Sequence, residues 1–382
     1  CGKVASRPLP RRAAVRPAAP AGNLALVADA PETPELTVLA RARGGLGHLT
    51  LNRPRAINAL DLDMVAQLSA ALDAWQDDPD VGIVLLDGAG DRGLCAGGDV
   101  RSLYDQIVGG TPEQPSVFFR AEYTLNARIA EYPHPIVVIA DGITMGGGIG
   151  LAGHAAVRVV TERSKLAMPE TRIGFTPDVG GTWLLAHAPG RIGEYLGVTG
   201  ATMDAADALY AGFADHLVPA AHLEALRDAL ETRADPSTPT ELVLLFDETA
   251  GPPRLAAARP WIDDAFSADT VPEIVARLRA RPEAEASATA DTLAELSPTG
   301  MAVTLEAVRR ARELPDLRAA LAQEYRLVMW FAQTQPDLVE GIRAQLVDKD
   351  RTPSWRPATS AEVDAETVAA AFAWAPETPL WD

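Results

Sequence analysis

The sequence predicts an α/β fold followed by a helical region. Over roughly the first 220 residues, short apolar runs that end in glycine alternate with stretches of helical periodicity, which is typical of α/β proteins. After about Pro219 the short strands disappear and long Ala/Leu/Arg/Glu stretches follow, punctuated by Pro and Gly. We see no long flexible linker, so we expect the helical region to pack on the first part.

Three patterns predict strands and helices in the α/β part. "LTVLARARGGLGHLTLN" indicates a hairpin around Gly44 and Gly45. The next stretch has apolar residues at helical spacing, and Asp61 stands where it can cap that helix. Buried strands are predicted in the three apolar runs Val81–Gly90, Pro135–Gly148 and Val157–Glu162.

The chain is predicted to have three parts. Residues 1–33 carry five basic residues and no acid before residue 23, and their Ala/Pro/Arg bias indicates a disordered basic tail or, alternatively, a transit peptide. Residues 34–225 form the predicted core. Residues 226–382 contain helical stretches such as "TPTELVLLF" and "LRAALAQEYRLVMWFAQ", and form the predicted C-terminal helical region.

Composition limits the possible partners. The 382 residues carry a formal net charge of −18, which argues against nucleic acid, and no apolar run reaches the ~18 residues of a membrane span. Two cysteines exclude a disulfide framework, and no Cys/His cluster has metal-ligand spacing. The compositional bias is typical of GC-rich bacterial genomes, so we predict a cytoplasmic location.

Two glycine-rich turns follow predicted buried strands: "LCAGGDV", Leu94–Val100, and "GITMGGGIG", Gly142–Gly150. If helices begin there, free N–H groups from the two turns could meet and form an oxyanion hole. Each turn by itself is equally expected from tight turns and close helix packing. Neither turn matches the dinucleotide or P-loop glycine patterns.

Two carboxylates, Glu170 and Asp178, lie in "PETRIGFTPDVGGTW", which is otherwise rich in Gly, Pro, Thr and apolar residues. We expect partial burial and mutual repulsion to raise the pKa of one of them toward neutrality. From the pattern alone, a helix-capping role for Glu170 and a turn role for Asp178 are equally open.

Several motifs carry a family resemblance. "LNRPRAINAL", "LCAGGDV", "GITMGGGIGLAGH" and "AMPETRIGFTPDVGG" resemble the enoyl-CoA hydratase/isomerase (crotonase) superfamily. Together with "VFFRAEY", "LSPTGMAVTL", "EYRL" and "EGIRAQLVDKDRTPSWRP", they are similar to the 3-hydroxyisobutyryl-CoA hydrolase family. The resemblance runs from about Leu36 to beyond Pro357. It implies a crotonase-type ββα spiral core with an acyl-CoA thioester in a cleft.

The resemblance also implies roles for single residues. The N–H groups of Ala96 and Gly147 would form the oxyanion hole. Glu170 would act on the thioester as a general base for water or as a nucleophile. Asp178 would contact the 3-hydroxyl group of the substrate and assist catalysis, and Glu122 would be a third acidic substrate contact.

Other positions receive weaker assignments. Gly98 and Ala56 are implied to bind substrate. Arg55 is either a contact for a CoA phosphate or a solvated surface residue. We expect Asp99 to cap and orient the oxyanion loop, and Cys95 to be a small buried residue.

One missing acid separates hydration from hydrolysis. Simple hydration lacks one of its two acids in this chain, whereas the acids for hydrolysis, Glu170 and Asp178, are both present. Crotonase-type hydratases place a second Glu three residues after the oxyanion glycine, and this chain has Gly150 there. No GxSxG motif supports a serine nucleophile, and we expect His154 to be packed in the helix after the glycine turn.

The resemblance therefore implies hydrolysis of 3-hydroxyisobutyryl-CoA to 3-hydroxyisobutyrate and CoA, in valine catabolism. No cofactor or metal is expected, since CoA is part of the substrate. Superfamily relatives often form trimers or hexamers, but the added C-terminal helices could cover that surface, so a homo-oligomer is an open alternative. The alternatives are an enoyl-CoA hydratase or isomerase on another short acyl-CoA, and non-catalytic acyl-CoA binding.

Overall fold

The computed structural model describes residues 1–2, 36–232 and 239–381. The chain divides into two units, Cys1–Glu35 and Leu36–Asp382, and the fold described below belongs to the second. The prediction of a disordered basic tail at residues 1–33 falls almost wholly outside the described residues.

The bounds of the strands and helices are as follows. The strands are β1 Val38–Arg43, β2 Gly45–Leu51, β3 Val81–Gly88, β4 Ile136–Ala140, β5 Ile143–Met145, β6 Val157–Val160, β7 Lys165–Ala167 and β8 His216–Leu217. The helices are α1 Leu62–Trp75, α2 Val100–Val108, α3 Pro115–Glu131, α4 Gly147–Ala152, α5 Gly181–His187, α6 Ile192–Thr199, α7 Ala205–Ala211, α8 Leu223–Thr232, α9 Pro239–Leu244, α10 Arg254–Ala265, α11 Val271–Ala280, α12 Ala284–Leu293, α13 Pro298–Ala311, α14 Leu317–Thr334, α15 Pro336–Ile342 and α16 Ala365–Ala373. Short 3₁₀ helices include Pro54–Ala56 and Glu170–Ile173, and Arg343–Val347 is a π-helix.

Within the described residues, six strands form one sheet in the order β1-β2-β3-β4-β6-β8. β1 and β2 are antiparallel, and the other neighbours are parallel. β5 and β7 pair in a separate parallel sheet, and each follows a strand of the main sheet in sequence. The predicted combination of an α/β part and a helical C-terminal part is confirmed.

The local signals act as predicted. The hairpin turns at Gly44, whose φ of 61° is the left-handed conformation that glycine adopts most readily. Asp61 accepts a hydrogen bond from Met64 N at 2.9 Å and thereby caps α1. The run Pro135–Gly148 holds more than one strand: it contains β4, β5 and the first residues of α4.

The C-terminal helices pack on the α/β part through aromatic and polar contacts. The rings of Tyr123 in α3 and Tyr325 in α14 meet edge to face at 6.3 Å, and Phe175 contacts Phe331 in the same way at 5.7 Å. The Thr304 and Thr176 hydroxyls are 3.0 Å apart. No helix in the described residues is both long and apolar enough to cross a membrane.

Candidate active site

A cavity of about 420 Å³ lies between the two glycine turns, α3 and the segment after β7. Apolar side chains dominate its lining, and Leu346 of the π-helix contributes one wall from the C-terminal region. The structure brings all seven predicted site residues to this cavity. They are Ala56, Ala96, Gly98, Glu122, Gly147, Glu170 and Asp178.

One side of the cavity presents two backbone donors. Gly147 is the first residue of α4, and Gly98 lies in the other glycine turn. A β-carbon placed on Gly147 would lie 3.2 Å from Gly98 N, so the two turns approach closely. Among the described residues, neither the Gly98 N–H nor the Gly147 N–H donates to a backbone carbonyl. Both N–H groups are therefore free to bind an oxygen in the cavity.

The assignment of Ala96 to the oxyanion hole needs correction. The Ala96 N–H donates to the Ile57 carbonyl at 2.9 Å, which fixes the glycine turn to the loop after β2. A donor that is already engaged in the fold is not free for a substrate oxygen. The free N–H on this turn belongs to Gly98, two residues further along, for which the motifs imply only substrate binding.

The other side of the cavity presents three carboxyl groups that are nearly inaccessible to solvent. Glu122, Glu170 and Asp178 are 2%, 7% and 6% exposed, respectively. Glu122 Oε1 would lie 2.5 Å from a β-carbon on Gly147, and Glu170 Oε1 would lie 3.1 Å from one on Gly146. Both glycines are thus needed so that the acids can come close to the donor turn.

Two acid oxygens lack an internal partner. Glu122 Oε1 and Glu170 Oε2 are buried without a hydrogen bond among the described residues. Buried polar atoms in folded proteins are nearly always paired, and unpaired ones call for an explanation such as a ligand or water that completes the set. These two oxygens therefore mark the part of the cavity that is built to receive a polar group.

Burial shifts the pKa values of all three acids upward. Desolvation is the main cause, and it raises the pKa of Asp178 to about 7, although the hydrogen bond from Tyr123 opposes the shift. The pKa values of Glu122 and Glu170 are raised well above their usual range by burial and then by the charge of Asp178. All three acids therefore favour the protonated form more than exposed carboxyl groups do, and perturbed acids of this kind are common at functional sites.

A strained turn carries Asp178 into the cavity. Tyr123 Oη donates to Asp178 Oδ2 at 2.6 Å. The next residue, Val179, has a φ of 55°, a conformation that is costly for a β-branched residue. His154 Nε2 lies 2.8 Å from the Val179 carbonyl, and burial lowers the pKa of His154 to about 4, so the neutral ring donates this hydrogen bond. His154 lies just beyond α4 rather than within it.

Glu324 is a functional candidate that sequence reasoning missed. It lies in α14, is completely buried, and accepts hydrogen bonds from Gly180 and Thr182 directly after the Asp178 turn. Burial raises the pKa of Glu324 to about 8, and the bonds from Thr182 and Gly180 oppose that rise. The motif "EYRL" contains this residue, but nothing in the sequence connects it with Asp178.

Asn126 was also missed, and it explains the glycine at position 150. A β-carbon on Gly150 would lie 2.8 Å from Asn126 Nδ2 and 2.7 Å from Val179 Cβ. The space that a longer side chain would need is therefore occupied. Both polar atoms of the Asn126 amide are buried without a partner among the described residues.

Three further residues were singled out from the sequence: Asp99, Cys95 and Arg55. Asp99 stands at the start of α2 without a side-chain capping bond and pairs instead with Arg53 at 3.4 Å. Cys95 is fully buried, and burial raises the pKa of its thiol to about 12. Arg55 is exposed and is not part of the cavity lining. In the described part of the chain, no group of three or more His, Cys, Asp and Glu residues is arranged to hold a metal ion.

Comparison with known proteins gives the chain its family. The model of the enoyl-CoA hydratase/isomerase family matches residues 46–372. The mitochondrial 3-hydroxyisobutyryl-CoA hydrolase of Danio rerio is 38% identical over 351 residues, which cover 90% of this chain and 91% of the relative. The chain belongs to the 3-hydroxyisobutyryl-CoA hydrolase family, within the enoyl-CoA hydratase/isomerase superfamily. The family resemblance seen in the motifs is thus confirmed.

Two solved structures share the fold over most of the chain. A protein described as a carnitinyl-CoA dehydratase from Mycobacterium thermoresistibile is 47% identical, with a TM-score of 0.85 over 90% of this chain and 98% of the other. A protein described as an enoyl-CoA hydratase from Rhodobacter sphaeroides 2.4.1 is 44% identical, with a TM-score of 0.84 over 90% and 99%. The predicted crotonase-type fold is confirmed. The cytoplasmic prediction gains no support, because the Danio rerio relative is named as mitochondrial.

Proposed function

We propose that the protein hydrolyses the thioester of 3-hydroxyisobutyryl-CoA, releasing 3-hydroxyisobutyrate and CoA, as a step of valine catabolism. The names of its relatives support this substrate and this reaction. The observation that carries the chemistry is the arrangement of the cavity, where two free backbone donors face three buried acids. A thioester carbonyl between them would meet both donors and a proton-accepting group.

The donor pair is proposed to act as the oxyanion hole. When water or a carboxylate attacks the thioester carbon, the carbonyl oxygen becomes negatively charged. The N–H groups of Gly98 and Gly147 would each donate a hydrogen bond to it. Removal of one such donor typically costs about 3 kcal/mol of barrier, a rate loss of roughly a hundredfold or more.

Glu170 is proposed as the reacting carboxylate. As a general base it would take a proton from water while the water oxygen attacks, and the departing CoA thiolate would then take that proton back. As a nucleophile its carboxylate would expel CoA and form a mixed anhydride, which water would then hydrolyse. Both routes give the same products and use the same oxyanion pair.

Asp178 and Glu122 are proposed to hold the acyl group. Burial raises the pKa of Glu122 and so favours its protonated form, which would donate a hydrogen bond to a substrate oxygen. Asp178, with a pKa of about 7, would accept from the 3-hydroxyl group in its ionised form. Ala56, which lies in the 3₁₀ helix at the cavity wall, would contact the substrate through its small apolar surface.

The proposal includes a few coarser expectations. Hydrolysis would consume only water and needs no redox cofactor, and the proposed mechanism uses no metal. A homo-oligomer and the division into a core at 34–225 and a helical region at 226–382 remain proposals. Location is also open to test: cell fractionation would separate the predicted cytoplasmic site from the mitochondrial one of the named relatives.

Hydration of an enoyl-CoA is the competing function, since one similar structure is described as an enoyl-CoA hydratase and another as a carnitinyl-CoA dehydratase. The occupied space at Gly150 disfavours it, because a second catalytic carboxylate cannot be accommodated there without rearrangement. Both activities can be measured on the same preparation. Free thiol would be followed with 3-hydroxyisobutyryl-CoA, and loss of enoyl absorbance with crotonyl-CoA and methacrylyl-CoA.

We expect fast thiol release and slow enoyl consumption. Fast loss of enoyl absorbance without thiol release would overturn the proposal in favour of a hydratase. Tight binding of the thioesters without turnover of any of them would instead support a binding protein.

A further inference from the structure

Glu324 connects the C-terminal helical region to the turn that carries Asp178. Its Oε2 accepts from Gly180 N at 2.6 Å, and its Oε1 accepts from Thr182 N at 2.8 Å and from Thr182 Oγ1 at 2.5 Å. The side chain reaches across 142 to 144 positions of sequence to make these bonds. All three bonds are buried, so water does not compete for them.

The turn needs external support because its backbone is strained. Val179 and Gly180 have φ values of 55° and 78°, and only the glycine adopts such an angle readily. A β-branched residue in this conformation persists only where its surroundings enforce it. Glu324 bonds the residues directly after Val179, and His154 bonds the Val179 carbonyl.

Glu324 also caps the N-terminus of α5, because the residue at the N-cap position, Gly180, has no side chain to do so. The first N–H groups of a helix have no partner within it. Burial favours the protonated form of Glu324, but the three donors that face its two oxygens favour the ionised form, in which both oxygens accept. A glutamine would place an NH₂ group against one of these N–H donors.

A second contact connects α14 with Asp178. Tyr325, the neighbour of Glu324, packs edge to face on Tyr123, and Tyr123 donates to Asp178. One turn of α14 therefore holds Asp178 from two directions: through its backbone turn and through the tyrosine that binds its carboxylate.

We propose that Glu324 is a positioning residue, which fixes the turn 178–182 and thereby sets the orientation of the Asp178 carboxylate in the cavity. Its catalytic consequence rests on the proposed function, whereas its effect on the turn does not. A purely stabilising role would make the same three bonds, so the test must separate stability from the placement of Asp178.

The kinetic test combines Glu324→Gln with Asp178→Asn. Alone, Glu324→Gln should lower kcat for thiol release about tenfold or more with KM changed less than about twofold, since the bonds it loses orient the carboxylate that is proposed to hold the acyl group in its reactive position. In the Asp178→Asn background the same substitution should cost less than about twofold, because the group it orients is already lost. An equal loss in both backgrounds, or a normal kcat in the single variant, would overturn the proposal.

Glu194→Gln is the matched control. Glu194 is as buried as Glu324, but it binds Arg191 and Arg312 away from the cavity. We expect its replacement to cost stability and to leave the turn 178–182 in place. We expect its kcat to stay near that of the wild type, so that a loss confined to Glu324→Gln reports position rather than general destabilisation.

A less disruptive pair of variants at Thr182 provides the test if Glu324→Gln fails to fold. Thr182→Val removes only the hydroxyl donor, and Thr182→Ser keeps it. We expect a severalfold loss of kcat in Thr182→Val and rescue in Thr182→Ser. Equal activity in the two variants would contradict the proposed role of Glu324.

Amide hydrogen exchange tests the turn independently of activity. In whichever Glu324 or Thr182 variant folds, the peptide that covers 178–182 should exchange faster than in the wild type, whereas Glu194→Gln should leave its exchange unchanged. Unchanged exchange in the folded variant would overturn the proposal. Absence of wild-type thiol release, by contrast, would overturn only the proposed function.

Discussion

The two sides of the cavity are built in different ways. The donor side consists of backbone: the N–H groups of Gly98 and Gly147 are placed by turns that follow strands of the α/β part. The acid side consists of side chains, which come from α3 and from the segment between β7 and α5. The C-terminal helices support the acid side, through contacts such as that of Glu324.

The difference shows what each kind of group requires. A backbone donor has a fixed position once its turn is formed, and it needs mainly the absence of a side chain. A buried acid must be oriented by neighbours and carries a cost of desolvation, which appears in the raised pKa values. This contrast accounts for the role of the helical region, which orients acids that the α/β part supplies.

The largest effect is expected where a side chain is added on the donor side. In Gly147→Ala the new β-carbon would lie 2.5 Å from Glu122 Oε1 and 3.2 Å from Gly98 N, so the two proposed oxyanion donors must move apart. We expect kcat for thiol release to fall by about a hundredfold or more. Steady-state kinetics on a folded variant, verified by circular dichroism, would measure the loss.

Gly98→Ala is the matched comparison. Its β-carbon would meet the Phe118 ring at 3.4 Å, an ordinary contact, and the N–H would remain. The loss should therefore stay below about tenfold. Equal losses in the two alanine variants would show that Gly98 and Gly147 do not form the donor pair in the way described.

A smaller effect is expected from Asp178→Asn on the acid side. The rate should fall about tenfold to a hundredfold, because the variant loses the carboxylate that is proposed to hold the acyl group in place. The pH dependence should change as well. The charge of Asp178 is the second cause, after burial, that raises the pKa of Glu170. Without it, the pKa of Glu170 falls, and the acidic limb of kcat/KM should move to lower pH.

The pH profile of Glu194→Gln serves as the reference, because Glu194 is bound by two arginines outside the cavity. It should coincide with that of the wild type. An acidic limb that stays in place, or moves to higher pH, in Asp178→Asn would show that the two acids do not interact as described.

Gly150→Glu tests whether the acid side can be converted to the hydratase arrangement. The new side chain would collide with Val179 and Asn126, and overpacking of this kind costs about 1–3 kcal/mol of stability. We expect a lower melting temperature and no gain in crotonyl-CoA hydration. A stable variant with increased hydration would contradict the steric argument.

The smallest expected effect is a change in melting temperature on replacing Glu122 with glutamine. Burial raises the pKa of Glu122 above its ordinary 4.5, so the folded state holds the proton more tightly than the unfolded state does. Wild-type stability must then fall as the pH rises above about 4.5, whereas Glu122→Gln lacks this loss. The variant should melt about 2 °C or more above the wild type at pH 8, with a smaller difference at pH 4.5.

Glu194→Gln should show the opposite sign at pH 8, since its carboxylate is paired with arginines rather than isolated. Scanning calorimetry at both pH values would record the two differences. A Glu122→Gln variant that melts below the wild type at pH 8 would show that ionisation of the buried acid does not destabilise the fold.

Local signals predicted much of the fold. The hairpin at Gly44, the Asp61 cap and the buried strand from Val81 follow from chemistry within a few residues. The change to a helical region near Pro219 precedes the first helix of that region, which begins at Leu223. Such features need no knowledge of distant contacts.

The site was predicted less completely, because it depends on distant contacts. The motifs indicated which turns and acids meet, but the direction of a single N–H depends on the partner that takes it. Ile57 binds the Ala96 N–H and leaves that of Gly98 free. Glu324 and Asn126 act on residues far away in sequence, so no local pattern reveals them.

Thiol release from 3-hydroxyisobutyryl-CoA by the wild type, Glu170→Ala and Asp178→Ala tests the proposed chemistry most directly. We predict rapid release by the wild type, loss of at least about two orders of magnitude in Glu170→Ala, and a marked but smaller loss in Asp178→Ala. No release by the folded wild-type protein, or undiminished release by Glu170→Ala, would contradict the role of Glu170 as the reacting carboxylate of a thioester hydrolase.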